Sequence, residues 1–218
     1  MEPQIHLFDY SLPQVDTVVI LGAGPSLNEY IDTINDIKDK VIIGSNYNFP
    51  ISSDFTLFTG PGTFKHSVRE ITSPNIIISQ LVLSRRKRII DSMTEKQFYV
   101  MQNIESKKVY YKEIEIKISK EGVFGHSFAN SGFTSILVSH FFRPKKVILT
   151  GFDGPDLRSD GYYQTHFNGK DRKWSDPAHG IMKSDFALRQ NFLRLILEFL
   201  RGKNIDIQIL GEFWGINR

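Results

Sequence analysis

Cysteine is absent from the 218 residues. That removes disulfide scaffolds, thiolate-held zinc and cysteine nucleophiles together, and it fits a reducing compartment. Charge of one sign is scarce too: 27 Lys and Arg against 24 Asp and Glu leave a formal +3 and a pI near 9.0. A surplus that small is no nucleic-acid footprint, although it would not repel an anionic small molecule. No stretch approaches the roughly 18 apolar residues of a membrane-crossing helix. The opening Met1-Glu2-Pro3-Gln4 is acidic and polar, unlike a secretory signal. The expectation is a cytoplasmic chain forming a single domain over 1–218, with no nucleic-acid partner.

What is present suffices for a core. The chain is 40% hydrophobic, and its 17 phenylalanines lean that core toward aromatic packing. Residues 17–21, Thr-Val-Val-Ile-Leu, form a short β-branched run of the kind that makes a strand buried on both faces. It breaks at Gly22-Ala23-Gly24-Pro25-Ser26, after which Leu27, Ile31, Ile34 and Ile37 recur at helical spacing. Further strands are predicted at 41–43, 55–59, 75–79, 147–150 and 205–210, and helices at 83–93, 133–142 and 183–201. Strand, glycine turn, helix, strand is the opening of a doubly wound α/β fold. The predicted architecture is a Rossmann-like, mostly parallel sheet of about six or seven strands with helices on both faces. Residues 107–119 alternate charged and apolar, so a small β-rich insertion is expected at about 95–125. Residues 154–178 carry no apolar period and read as one long lid loop.

Ligands of open parallel sheets bind beyond the carboxyl ends of the strands. Four predicted strands end in small or polar residues: Gly22, Gly24, Pro25 and Ser26; Ser45 and Asn46; Thr59 and Gly60; and Gly151 to Asp153. Such turns need Gly and Asn for their shape alone, but four of them on one sheet point to a nucleotide pocket. The first turn is neither a dinucleotide fingerprint nor a Walker loop, since Pro25-Ser26 replaces the later glycines and no Gly-Lys-Ser follows. Asn130-Ser131-Gly132 opens a helix, either as its cap or as an anion site. His179, and more weakly His126 and His166, are candidate catalytic histidines, and the spacing of His166, Asp171, Asp176 and His179 in one loop matches no zinc motif. Tyr162 and Tyr163 are either an aromatic lid or phenol donors to a departing phosphate. The basic run Arg85 to Arg88 reads as a solvated helix face that at most attracts an anionic acceptor or a membrane surface.

Taken in order, Gly24-Pro25-Ser26-Leu27 after a first strand, Ser45-Asn46 after a second, Asn130-Ser131-Gly132 before a helix, the Gly151-Phe152-Asp153 strand end and a late His179 form a pattern. It resembles the bacterial sialyltransferases that use a CMP-activated sugar on lipooligosaccharide. It also resembles the wider Rossmann-like superfamily of motility accessory factors and archaeal hydroxymethylpterin diphosphokinases. The resemblance implies a metal-independent, inverting transfer that needs no cofactor beyond the CMP-sugar co-substrate. Gly24 and Ser26 would approach the phosphate, and Gly22, Pro25 and Asp153 would belong to the same nucleotide or donor site. Ser45, Asn46, Thr59 and Gly60 would line the nucleotide or donor sugar. Asn130, Ser131 and Gly132 would hold the ribose or the donor carboxylate, and His179 would be the general base. That family has a tyrosine directly after the strand that here ends in Asp153; Gly154-Pro155 stand there instead, so Tyr162 or Tyr163 would supply the phenol. The implied partners are a nucleotide-sugar donor and a glycan or lipid-linked acceptor. A peripheral place at the inner face of the cytoplasmic membrane and a homo-oligomer are both left open, and Phe213-Trp214 is the only C-terminal candidate for a membrane contact. The alternatives are a diphosphokinase using Mg²⁺ held by Asp153, Asp156 or Asp160, and a non-catalytic nucleotide-binding module.

Overall fold

The computed structural model describes residues 3–101, 131–154, 156–158, 161–173 and 183–214. Eight parallel strands form its central sheet: β1 (Gln4–Phe8), β2 (Thr17–Leu21), β3 (Lys40–Ser45), β4 (Phe55–Phe58), β5 (Asn75–Ser79), β6 (Gln97–Met101), β7 (Lys146–Thr150) and β11 (Asp206–Leu210). Their spatial order is β1-β6-β5-β4-β3-β2-β7-β11. The chain therefore walks outward from β2 to β6, returns to the other side of β2 as β7, and ends at the edge with β11. The point of reversal lies between β2 and β7, where doubly wound folds open their ligand crevice.

The alternation of side chains divides the core. In β2, Val18 and Ile20 join one cluster and Val19 and Leu21 another, because successive residues of a strand face opposite sides. The first face is covered by α4 (Ser131–Val138) and α5 (Lys183–Gly202). In α5, Phe192, Leu193, Ile196, Leu197 and Leu200 supply its buried stripe at helical spacing. The second face is covered by α1 (Ile31–Asn35), α2 (Pro61–Ser67) and α3 (Gln80–Asp91). The Rossmann-like α/β fold expected from the sequence is the observed one, with eight strands rather than six or seven.

Two strands escape the sequence reading. β1 pairs with β6 at the sheet edge, and only Phe8 of its five residues is buried. β6 falls inside the segment read as an insertion from about 95, yet it is an interior strand flanked by β5 and β1. The rest of that segment, 102–125, lies outside the described residues. The lid predicted at 154–178 is also not one irregular loop. It contains β8 (Asp156–Arg158), β9 (Gly161–Thr165) and β10 (Asp171–Lys173), a separate antiparallel sheet in the order β10-β9-β8. Its strands are three to five residues long and pair with one another. They carry no apolar period from which a strand could be predicted.

Ser79 couples the fold to its upper rim. Its hydroxyl accepts from Val82 N at 3.2 Å, capping α3, and donates to Thr59 O at 2.9 Å. Ser79→Ala is expected to lower the unfolding free energy by about 1–2 kcal/mol, measured as a shift in urea midpoint without a change of slope.

The C-terminal Phe213 and Trp214 are 3% and 2% exposed, with the Trp214 ring edge-on to Phe133 at 5.0 Å between centroids. They are part of the core, which corrects the expectation that they offer a membrane contact. Among the described residues, no helix is long and apolar enough to cross a membrane. In the basic run, Arg86 Nε donates to Pro61 O at 2.8 Å and Lys87 pairs with Asp91 at 2.9 Å, while Arg85 and Arg88 stay exposed.

Candidate functional site

The carboxyl ends of β7, β2, β3 and β4 are consecutive along the rim. Three strand spacings make this rim about 15 Å wide. Gly151 to Asp153, Gly22 to Ser26, Ser45 and Asn46, and Thr59 and Gly60 all follow those strands. The four turns picked out from sequence thus share one rim.

At the point of reversal the backbones of β2 and β7 come unusually close. Gly22 N donates to Thr150 O at 2.8 Å and Gly24 N to Gly151 O at 2.7 Å. A Cβ on Gly22 would stand 2.6 Å from the Gly151 carbonyl carbon. The Asp153 carboxylate fills the turn beyond, its Oδ2 accepting from Ser26 N at 3.0 Å. A Cβ on Gly24 would meet that carboxylate, 2.8 Å from its Cγ. The amides of Gly24 and Ser26 are therefore already engaged by protein acceptors, while Pro25 has none to offer. The Ser26 hydroxyl is different. It is buried, packs against Gly211, and has no hydrogen-bond partner among the described residues. Thr150 Oγ1, fully buried just below, shares that state. Each is a buried hydroxyl without a hydrogen-bond partner among the described residues, and each is a local cost to the fold.

The tip of the small sheet covers this crevice. Phe167 N donates to Ala23 O at 2.8 Å, and Asn28 Nδ2 donates to Phe167 O at 2.8 Å. The Phe167 ring lies 5.3 Å from Phe49, and His166 stands edge-on to Tyr47 at 5.6 Å. Phe167, which the sequence reading did not single out, is the residue of this segment that meets the Gly22–Ser26 turn. Tyr162 and Tyr163 lie within β9, opposite Leu157 and Asp156 respectively.

A second cluster occupies the ends of β3 and β4, under the first turn of α4. Ser45 has the parity of Ile43, which places it on the α4 face, and its hydroxyl meets Ser135 Oγ at 2.6 Å. Ser135 donates to Ser131 O at 2.9 Å, while Ser131 Oγ donates to Asn46 Oδ1 at 3.2 Å and meets Thr59 Oγ1 at 2.8 Å. The helix that carries these serines is buried on nearly all sides between sheet and α5. Small hydroxyl side chains let it approach the sheet closely while satisfying one another. Ser131 is the first residue of α4, so its hydroxyl serves the rim rather than the cap position. Gly132 follows it, half-buried. Gly60 sits at the N-cap of α2 in extended conformation, with no side chain between Thr59 and Pro61.

Sequence reasoning missed Ser135, although its spacing of four from Ser131 puts both on one helix face. His179, Asn130, His126, Asp160 and Asp176 lie outside the described residues. The structure sets Gly22, Gly24 and Ser26 against Thr150, Gly151 and Asp153 through one hydrogen bond each, and links Ser45, Asn46, Thr59 and Ser131, with Ser135, in a second cluster on adjacent strands. No protein-family model matches the chain, and no curated protein matches it.

Proposed function

We propose that the protein is a glycosyltransferase that moves a sugar from a CMP-activated, sialic-acid-like donor to a cell-surface glycan or lipooligosaccharide acceptor. The observation that carries this reading is the shared rim: every described candidate turn of the central sheet falls on the carboxyl ends of four adjacent strands, with unspent hydrogen-bonding groups at Ser26 and Asn46. In this reading the acceptor hydroxyl oxygen bonds to the anomeric carbon of the donor. The bond from that carbon to the phosphate oxygen breaks with its electrons on the phosphate, releasing CMP. The proton of the acceptor hydroxyl passes to His179, since an imidazole nitrogen can accept a proton from an alcohol as a general base. A phenol from Tyr162 or Tyr163 would stabilise the negative charge arriving on the leaving phosphate. Neutral hydroxyls and a carboxamide suit this chemistry, since they bind an anionic nucleotide by donating protons and need no metal.

Thermal denaturation with CMP, CDP, UDP, GDP and ATP, each with and without Mg²⁺, tests the reading. CMP alone at a hundredfold excess over its Kd is expected to raise Tm by about 5–10 °C. His179→Ala should keep that shift and lose transfer. A shift confined to ATP with Mg²⁺ would replace this function with phosphoryl or pyrophosphoryl transfer.

A further inference from the structure

We infer that β1 is a docking edge for a second copy of this chain, two β1 strands pairing antiparallel about His6 so that two eight-stranded sheets join into one. The inference stands apart from the transferase reading and uses none of its residues.

Among the described residues β1 closes one side of the central sheet, with β6 as its single neighbour. Its outer edge presents a row of N–H and C=O groups with no strand to receive them, and edges of this kind are ordinarily blunted by charge, proline or a bulge. Residues 4–8, Gln-Ile-His-Leu-Phe, contain no Asp, Glu, Lys, Arg or Pro. Their pairing with β6 runs unbroken from Gln4 opposite Gln97 to Phe8 opposite Met101, and none of them has a positive φ. The other edge of the sheet is blunted: β11 opens with an exposed Asp206, paired with Lys146 at 3.9 Å.

Burial adds an apolar component. Ile5 and Leu7 stand beside Phe98 and Val100 of β6, whose side chains belong to the core under α2 and α3. That face of the core thus runs out to the edge and stops at two side chains 43% and 41% exposed. A strand laid beside β1 would cover them and take up the free backbone groups together.

The strand fits itself. A two-fold axis perpendicular to the sheet keeps each face on its own side, so a residue opposes only one of its own parity in the other copy. Centred on His6, this pairing uses all five residues and sets Ile5 of each copy against Leu7 of the other. No carboxylate, ammonium or guanidinium enters the seam. Five residues from each copy bury less than a standard interface, so reversible association in the range of about 1–100 μM is expected. The antiparallel seam turns the carboxyl ends of the two sheets in opposite directions, which leaves each copy's rim open.

Sedimentation of the full chain across that range should show the 25.1 kDa monomer giving way to a species of twice the mass. Leu7→Lys, at a position exposed in the single chain, should weaken association at least about tenfold and leave the far-ultraviolet circular dichroism unchanged. Adding Ile5→Glu to that variant sets opposite charges against each other across the seam and should recover most of the loss. Because the chain has no cysteine, one introduced thiol reports the register. His6→Cys should cross-link to its copy under mild oxidation, whereas Gln4→Cys should not, since the antiparallel offset holds those two positions about 14 Å apart. A chain monomeric throughout overturns the inference and leaves this edge to a strand of another protein. A dimer indifferent to Leu7→Lys, a loss that Ile5→Glu does not recover, or a thiol at position 6 that stays free while the chain dimerises overturns it equally.

Discussion

Gly22→Ala is expected to destabilise the protein by about 3–5 kcal/mol, while Gly62→Ala leaves it as stable or raises its stability by about 0.5–1 kcal/mol. The two substitutions add the same methyl group. At position 22 that methyl would lie 2.6 Å from the Gly151 carbonyl carbon and 3.0 Å from the Phe152 ring. The obstacle is mostly backbone, and it belongs to the neighbouring strand, so no rotamer change removes it. Strands β2 and β7 would have to part at the rim, weakening the bonds from Gly22 N to Thr150 O and from Gly24 N to Gly151 O. Parting is resisted from the other side as well, because Gly151 has a φ of +71° and itself faces Gly22. Position 62 lies in α2 with open space where its Cβ would stand. There alanine only reduces the freedom of the unfolded chain and favours helix. Urea denaturation of the two variants side by side measures the contrast. Equal unfolding free energies would mean that the β2–β7 approach is looser than described. Because domains are stable by only about 5–15 kcal/mol, the Gly22 variant forfeits a large share of the total.

Phe8→Ala should cost about 3–4 kcal/mol and release the edge strand before the rest of the sheet. Gln4 to Leu7 are exposed, with Ile5 and Leu7 at 43% and 41%, so their side chains contribute little burial. Phe8, at 1%, meets Phe55, Tyr99, Phe141 and Phe142 edge-on, with ring centroids 5.5–6.5 Å apart. Removing that ring leaves a cavity among aromatic side chains that cannot collapse without shifting β6 and the turn after α4. Native-state hydrogen exchange should show β1 amides losing protection while β2 amides keep theirs. A uniform loss across both strands would instead place β1 in the global folding unit.

The parts of this protein that local chemistry dictates are visible in the chain itself. Residues 17–21 and 76–78 are β-branched and largely apolar because both of their faces are covered, as is usual for interior parallel strands. The residues at the ends of those strands are legible for a related reason. A turn that leaves a buried strand needs glycine, asparagine or serine, so Gly22, Ser26, Asn46 and Thr59 stand out against apolar neighbours. β1 is not legible because an edge strand anchored by one ring has almost no pattern to show. The strands between 156 and 173 are hidden because they pair with each other and have no apolar period.

Composition and periodicity alone determined that the chain folds as an α/β sheet and which turns end its strands. Only the folded arrangement decided that β7 lies beside β2, and with it that Asp153 meets Ser26 across 127 residues of sequence. The same holds for Ser135, an unremarkable serine in an apolar helix until α4 settles over the end of β3 and its hydroxyl finds Ser45. Propensity acts over a few residues, whereas a hydrogen bond between distant strands exists only after strand order has brought its two atoms within 3 Å. That order comes from how the described strands and helices bury their faces together.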